Sequence, residues 1–387
     1  MCVSIVGAGM IPVREHWSSS LAELAVEAGE LALRDAALSQ VDAIYIGNAY
    51  GAAFSRQTQL GSLVAAQLGM PGAEAFTCEA GDASGGVALR AAYLAVASGA
   101  VRSALALGVE KATDIVGSAR LAARNVSLDA DFETVNGATL TAMAGLLMRR
   151  YMHEYGLDLS HFEGFSVNAH RNGARNSCAM YRNPLRAGAY MRAPMIADPV
   201  NLFDGAPDGD GAAAVIVAGS EAAADRWFNP VRIRGSAVST DSLSLQDRVD
   251  PLSLSAVNLS TEKCLAQADL SRENLSALEL HDAYTIVTAL SLEAMGYSQR
   301  GRGWEWSRDG GARIANAGEL PLSTFGGLKS RGNAGGASGL YQAVEAYRQL
   351  MGRAGDNQIT GARHALIQSI GGLGATVATH VLSRTVE

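Results

Sequence analysis

Glu79-Ala80-Gly81-Asp82-Ala83-Ser84-Gly85-Gly86-Val87-Ala88-Leu89 runs through a turn of small residues into an amphipathic stretch that continues to Ala97. A strand that enters a helix through such a turn leaves the turn side chain at the helix N-terminus, where free N–H groups and the dipole favour negative charge. Asp82 occupies that place. It reads either as the N-cap of an ordinary strand-to-helix turn or as the presented side chain of a reactive elbow.

Outward from the elbow, the hydrophobic pattern alternates between the two periods of secondary structure. Val3 to Val6 reads as a strand, Leu21 to Ala37 as a helix with apolar residues three and four apart, and Val41 to Ile46 as the next strand. That order implies a right-handed crossover in a parallel or mixed sheet with helices outside. The same order returns late in the chain, with Val231 to Gly235 as strand, Leu254 to Ala268 as helix and Leu278 to His281 as strand. Two glycine-rich runs, Gly209 to Ala214 and Gly371 to Thr376, strengthen the case for an internal duplication. Between Thr113 and Pro199 strand signal fades and Met, Arg, Tyr, Asn and His interleave, which suits an inserted lid or binding segment. Gly219 to Pro230 reads as a helix stopped by Pro230 at the junction of the two halves.

Composition removes several functional classes. The 387 residues carry a net charge of -7 and no basic run longer than a pair, which argues against nucleic acid as partner. No apolar run approaches the roughly 18 residues of a membrane helix. The four cysteines, Cys2, Cys78, Cys178 and Cys264, form no CxxC pair, so no metal site or disulfide framework is expected and reduced thiols of a cytoplasmic protein are the default. Val3 to Val13 lacks a basic leader and reads as a strand rather than a signal peptide. Scattered arginines such as Arg171, Arg175 and Arg182 are candidates for binding phosphates.

The elbow resembles the Glu-Ala-Ala-Cys-Ala-Ser-Gly-Gly elbow of archaeal and sterol-carrier-protein-type thiolases, with Asp82 where the nucleophilic cysteine stands. Four more segments are similar to that family in the same order: Gly108 to Asp114, Ala197-Asp198-Pro199 through Ala212, His281-Asp282-Ala283-Tyr284-Thr285, and Gly326-Gly327-Leu328-Lys329 through Gly339. The final glycine run completes the match over essentially the whole chain. The resemblance implies an α/β thiolase fold, with duplicated βαβαβαββ halves in a five-layered αβαβα architecture. Residues 1–226 would form the N-terminal half, with a loop domain at about 113–199, and residues 227–387 the C-terminal half. It also implies an acyl-CoA thioester as substrate with no covalently bound cofactor, and a homodimer.

Departures from the family pattern bear on chemistry. The resemblance places Asp82, Asn333 and Ser369 where thiolases use a cysteine, a histidine and often a second cysteine. None of the three restores a nucleophile with its base. Cys78, four residues upstream, falls within the preceding strand and reads as an inert buried thiol. His281 and Asn333 stand where the family holds the thioester oxygen, both neutral hydrogen-bond donors suited to an enolate. Gly371 and Gly372 offer backbone groups to the same end, while Tyr284 and Ser369 are candidates for proton relay. The expected reaction is a noncovalent retro-aldol or aldol step through a CoA enolate, with Asp82 as base if burial raises its pKa more than the helix N-terminus lowers it. The pattern is similar to thiolase-fold steroid side-chain aldolases, which act with a small OB-fold and zinc-ribbon partner, so a heterotetramer with such a partner is implied. A catalytically silent CoA- or lipid-binding subunit and an atypical acetyl-CoA acetyltransferase are the alternatives.

Overall fold

The structure is a computed structural model and describes residues 2–219, 230–310 and 320–384. Its N-terminal half contains β1 (Val3–Met10), α1 (Leu21–Asp35), β2 (Ala43–Gly47), α2 (Leu60–Gln67), β3 (Glu74–Cys78), α3 (Ser84–Ala97) and β4 (Ser103–Glu110). An insertion follows with α4 (Ser118–Arg124), α5 (Leu140–Tyr155), α6 (Glu163–Gly173) and a small hairpin of β5 (Met195–Ala197) and β6 (Val200–Asn201), before β7 (Gly211–Gly219) closes the half. The second half contains β8 (Val231–Thr240), α7 (Ser255–Ala268), β9 (Ala277–Glu279), α8 (Thr285–Ala294), α9 (Ser338–Leu350), β10 (His364–Gly371) and β11 (Thr376–Arg384).

Strand order β3-β2-β4-β7-β1-β8-β11-β10-β9 makes one mixed sheet of two similar parts. Among the described residues the two parts pair where β1 meets β8, at Ser4 opposite Arg232 and Ile5 opposite Val231. In each part parallel strands give way to an antiparallel pair: β3-β2-β4 then β7, and β9-β10 then β11. Among the described residues the second half shows no full counterpart of β3, but a parallel bridge between Leu278 and Leu322 stands at the equivalent place. The two glycine-rich runs feed the equivalent strands β7 and β11, one out of the long insertion and the other as a tight hairpin turn. The helix expected at Gly219 to Pro230, and with it the boundary at 226, lies almost wholly outside the described residues.

β4 shows why the halves stack. Ala104 and Ala106 pack toward α3 and α9, whereas Leu105 and Leu107 pack toward α1 and α2. A strand covered on both faces reads as a continuous apolar run. Here small residues face the inner helices and large ones the outer. Each leucine so buried contributes about 1.5–3 kcal/mol. The inner layer depends on close approach: a Cβ on Gly47 would lie 2.5 Å from the Gly85 Cα, and one on Gly108 would lie 2.7 Å from the Ala337 Cα. α3 and α9 thus sit between the two parts of the sheet, with α1 and α2 outside one and α7 outside the other.

Several expected boundaries move for local reasons. β1 continues to Met10 because it pairs with β7 from Val3 opposite Gly219 to Met10 opposite Ala213. Ser20 and Glu23 form a capping box that starts α1 at Leu21. β9 ends at Glu279, which leaves His281 on the loop beyond it.

Candidate active site

The duplication places two equivalent turns face to face. Asp82 precedes α3 and Asn333 precedes α9, so both central helices direct their N-termini at the same point. The elbow is held by its own backbone: Gly81 adopts φ +55°, and the Ser84 hydroxyl accepts from the Ala80 N–H and donates to the Gly81 carbonyl. The helix N-cap is Ala83 with no side-chain cap bond, so Asp82 is not spent on capping. Its carboxylate turns into the interior, where the residue is 3% exposed.

Four neighbours surround that carboxylate. Arg124, the last residue of α4, makes a bidentate pair with Nη1 3.1 Å from Oδ1 and Nη2 2.9 Å from Oδ2. Tyr50 donates its hydroxyl to Oδ1 at 2.9 Å, and Asn333 donates Nδ2 to Oδ2 at 3.0 Å. The Asn333 amide orientation is fixed, because its Oδ1 accepts from the Gly335 N–H and the Ser338 hydroxyl. His281 is the fourth neighbour, with Nε2 3.9 Å from Oδ2, beyond hydrogen-bond reach.

Burial alone would raise the Asp82 carboxyl, but the Arg124 charge, with the Asn333 and Tyr50 hydrogen bonds, brings it below its ordinary value. Asp82 is therefore an anion whose accepting positions are largely occupied. This weighs against the expected role as a base. Burial lowers His281 to about 4, with Arg124 and Arg331 opposing the Asp82 charge, so the ring is neutral at pH 7 and its Nδ1 has no partner. Burial raises the Tyr284 phenol to about 12, keeping it protonated.

A cavity of about 80 Å³ opens beside this cluster, lined by Arg124, Thr141, Ala206, Asp208, Tyr284 and Asn333 among others. It has room for only a few non-hydrogen atoms. A short backbone lacing brings its walls together: the Ala206 N–H donates to the Ala283 carbonyl, the Asn333 N–H to the Pro207 carbonyl, and the Gly209 N–H to the Asn333 carbonyl. Asp208 lies on this strap, its carboxylate 3.3 Å from the Arg124 Nε and its side chain 24% exposed. Arg124 thus bridges a closed carboxylate and an open one, with its guanidinium 5.0 Å above the Tyr50 ring. Across the cavity the Tyr284 hydroxyl meets the Thr141 hydroxyl at 2.9 Å.

Asp82, His281 and Asn333 lie together, and Tyr284 shares the adjoining cavity with Asn333. The Gly371–Gly372 turn packs on the elbow, with the Gly371 Cα 3.3 Å from where a Gly81 Cβ would be. Ser369 requires correction. The alternation of β10 turns its hydroxyl between the central helices, against Gly86 and Gly339, where it is buried without a partner and lines no cavity at Asp82. Cys78 ends β3, and burial raises its thiol to about 11, as an inert cysteine requires. Arg171, Arg175 and Arg182 do not line the cavity; Arg171 borders a separate cleft, Arg175 donates to the Asp356 carbonyl, and Arg182 is exposed. Arg124, Asp208 and Tyr50 escaped the sequence reading. A buried Asp82 calls for a cation, and the arginines of the 113–199 insertion were the place to seek it; Asp208 lies inside a segment quoted for the resemblance.

Among the described residues no group of three or more His, Cys, Asp or Glu could hold a metal, and no helix is long and apolar enough to cross a membrane. Residues 3–183 match the thiolase N-terminal domain family and residues 237–384 the thiolase C-terminal domain-like family. The chain is 34% identical to an acetyl-CoA acetyltransferase of Methanothermobacter thermautotrophicus over 99% of both proteins. It is 29% identical to human sterol carrier protein 2, covering 97% of this chain and 71% of that one. Among solved structures, the Ltp2-ChsH2(DUF35) aldolase matches with a TM-score of 0.84 at 25% identity, over 99% of this chain and 98% of that one. Human mitochondrial 3-ketoacyl-CoA thiolase shares the fold with a TM-score of 0.76 at 17% identity, over 99% of both chains. With both domain families matched in order around an elbow that presents Asp82, the chain belongs to the thiolase superfamily.

Proposed function

We propose that this thiolase-superfamily chain acts on acyl-CoA thioesters by a noncovalent retro-aldol or aldol reaction through a CoA enolate. The observation that carries the reading is Asp82 itself: an ionised carboxylate, bound by Arg124, Asn333 and Tyr50, occupies the nucleophile's position and is no acyl acceptor. In the cleavage direction a base removes the proton of a β-hydroxyl, the Cα–Cβ bond breaks, an aldehyde or ketone leaves, and the electron pair remains as a thioester enolate. Protonation at Cα completes the acyl-CoA product.

Within this reading Asp82 anchors rather than abstracts: it holds Arg124 and the Asn333 amide at the cavity. Asp208 is the reachable base, and Arg124 and Asn333, which line the cavity, face the developing negative charge, with neutral His281 beside Asp82. The Tyr284 phenol is the proton donor. The solved aldolase of similar fold supports the reaction class, while the relatives named acetyl-CoA acetyltransferase support the transferase reading. A silent subunit is the third reading, favoured by the same saturation of Asp82.

Cleavage of a panel of β-hydroxyacyl-CoA thioesters, followed by mass spectrometry of both products, tests the proposal. The wild type is expected to cleave at least one, and Asp208→Asn to lose about 10²–10⁴-fold, the usual contribution of a general base. A stable acyl adduct on Asp82 or Cys78 after incubation with labelled acetyl-CoA would overturn it in favour of a transferase. No cleavage across the panel, with or without a partner, favours the silent subunit.

The same reading includes a homodimer and a small OB-fold, zinc-ribbon partner. β3 supports the first: it is an edge strand with Phe76 47% exposed, the kind of edge that pairs with another chain. The partner is supported by the two-protein aldolase structure and by a 28% identical relative from Thauera aromatica, benzoylsuccinyl-CoA thiolase subunit BbsB, aligned over 81% of this chain and 79% of that one.

A further inference from the structure

Glu110 ends β4, is 1% exposed, and is not among the groups assigned a part in the reaction. Its carboxylate gathers donors from two loops that belong to different halves of the chain. From the first, Oε1 accepts the Asn48 Nδ2 at 3.0 Å, Oε2 accepts the Ala49 N–H at 3.0 Å, and the Tyr50 N–H lies 3.3 Å from both oxygens. From the second, Oε2 accepts the Gly336 N–H at 3.1 Å. The first loop carries Tyr50 and the second follows Asn333, the two neutral donors to Asp82.

There is no slack between these loops. A Cβ on Gly336 would lie 2.6 Å from the Ala49 nitrogen, and one on Gly335 would lie 2.8 Å from the Glu110 Cγ and Oε2. Asn48 is fixed from behind as well, donating Nδ2 to the Val109 carbonyl and accepting the Gly51 N–H. A buried carboxylate is costly unless its lone pairs are filled, and here backbone N–H groups of both loops fill them. Moving either loop would leave a buried carboxyl oxygen without its donors.

We propose that Glu110 is a positioning residue that ties the Tyr50 loop to the Asn333 loop and thereby sets the separation at which both donate to Asp82. The inference rests on the site described above but not on the reaction assigned to it. Glu110 touches no reacting atom. Burial raises its own carboxyl to about 7 against the opposing backbone hydrogen bonds, with Asp82 adding to the rise.

The test reads Asp82 and needs no substrate. In protein carrying ¹³C-labelled aspartate, the Asp82 carboxyl resonance is assigned by comparison with Asp82→Asn and followed with pH. Glu110→Gln keeps shape but puts an NH₂ group against donors, so the two loops should separate. Loss of the Glu110 charge alone would lower the Asp82 pKa, so a rise of about one unit or more is the signature of separated loops. Adding Tyr50→Phe to Glu110→Gln should raise it less than the sum of the single changes. Asn48→Ser, which removes one side-chain donor, should give a smaller shift in the same direction and keeps the test open if Glu110→Gln fails to fold. An Asp82 titration that falls, or stays within about 0.2 unit, in folded Glu110→Gln, or in Asn48→Ser where Glu110→Gln does not fold, overturns the assignment. So does strict additivity with Tyr50→Phe. Absence of any carbon–carbon cleavage would overturn the proposed reaction and leave this test standing.

Discussion

Arg124→Leu isolates the contact on which the site depends. The bidentate pair has its closest approach at 2.9 Å, with side chains only 11% and 4% exposed, so solvent screens it little. Two unit charges at that separation attract by about 6 kcal/mol at an effective dielectric constant of about 20. Desolvating both ions cancels much of this in the intact pair. Removing one partner leaves the desolvation of the other uncompensated, for a net loss of about 3–5 kcal/mol. The Asp208 side of the contact adds little, since that carboxylate is open to water. Arg124→Leu is therefore expected to lower unfolding free energy by about 3–5 kcal/mol, and Arg124→Leu with Asp82→Asn to recover about 2 kcal/mol or more. The recovery follows because no ion of the pair remains: the new amide oxygen accepts from Asn333, and its NH₂ donates to the Tyr50 hydroxyl, which can turn to accept. Urea denaturation at pH 7 measures both, and neither variant should cleave a β-hydroxyacyl-CoA that the wild type cleaves. A loss below about 1 kcal/mol, or a double variant no more stable than the single one, would refute the pairing argument.

Asp82→Cys places a thiol beside the Arg124 cation, which should lower its pKa enough for labelled acetyl-CoA to acylate it. Turnover should still require Asn333→His to supply a base, and an unlabelled thiol would contradict the geometry of the elbow. Tyr284→Phe should reduce kcat for cleavage about 10²-fold or more with KM little changed; a rise in KM alone would make the phenol a binding group. His380 is buried under α3, its Nε2 3.0 Å from the Gly86 carbonyl, and burial lowers it to about 4. Between the ordinary value of about 6.5 and that value the unfolded chain binds the extra proton, so this contribution to stability is complete above about pH 6.5 and lost as pH falls toward 4. The stability of wild type relative to His380→Gln should therefore fall by about 3 kcal/mol between pH 7 and pH 4, and a pH-independent difference would show that the ring titrates normally.

What was legible in the sequence divides by range. Period and capping are local, so β1, α1, β2 and α7 could be placed from Val3, Leu21, Val41 and Leu254 to within a few residues. The elbow was legible because a run of small residues between strand and helix admits few conformations. The expectation for Asp82 as a base turned on a competition between burial and neighbouring charge, and the neighbour that decides it lies 42 positions away on α4. No local pattern marks Arg124 as that neighbour, since exposed arginines abound in the same insertion. Ser369 failed for a similar reason. Its register in the glycine run matched a catalytic position, but its hydroxyl stands farther along the central helices, against Gly86 and Gly339.

The duplication explains why these replacements form a set. Asp82 and Asn333 stand at equivalent turns, before α3 and before α9, and each is the other's partner. A carboxylate at the first turn requires a donor at the second, and an asparagine supplies Nδ2 without the proton equilibrium that a histidine would bring to a buried ion pair. It also requires a countercharge from outside both turns, which the insertion provides as Arg124. With Asp82, Asn333 and Arg124 mutually satisfied, the groups left facing the cavity with capacity to exchange protons are Asp208 and Tyr284. A site arranged this way holds a fixed charge at the elbow, and on the proposed reading its proton transfers fall to Asp208 and Tyr284 rather than to Asp82.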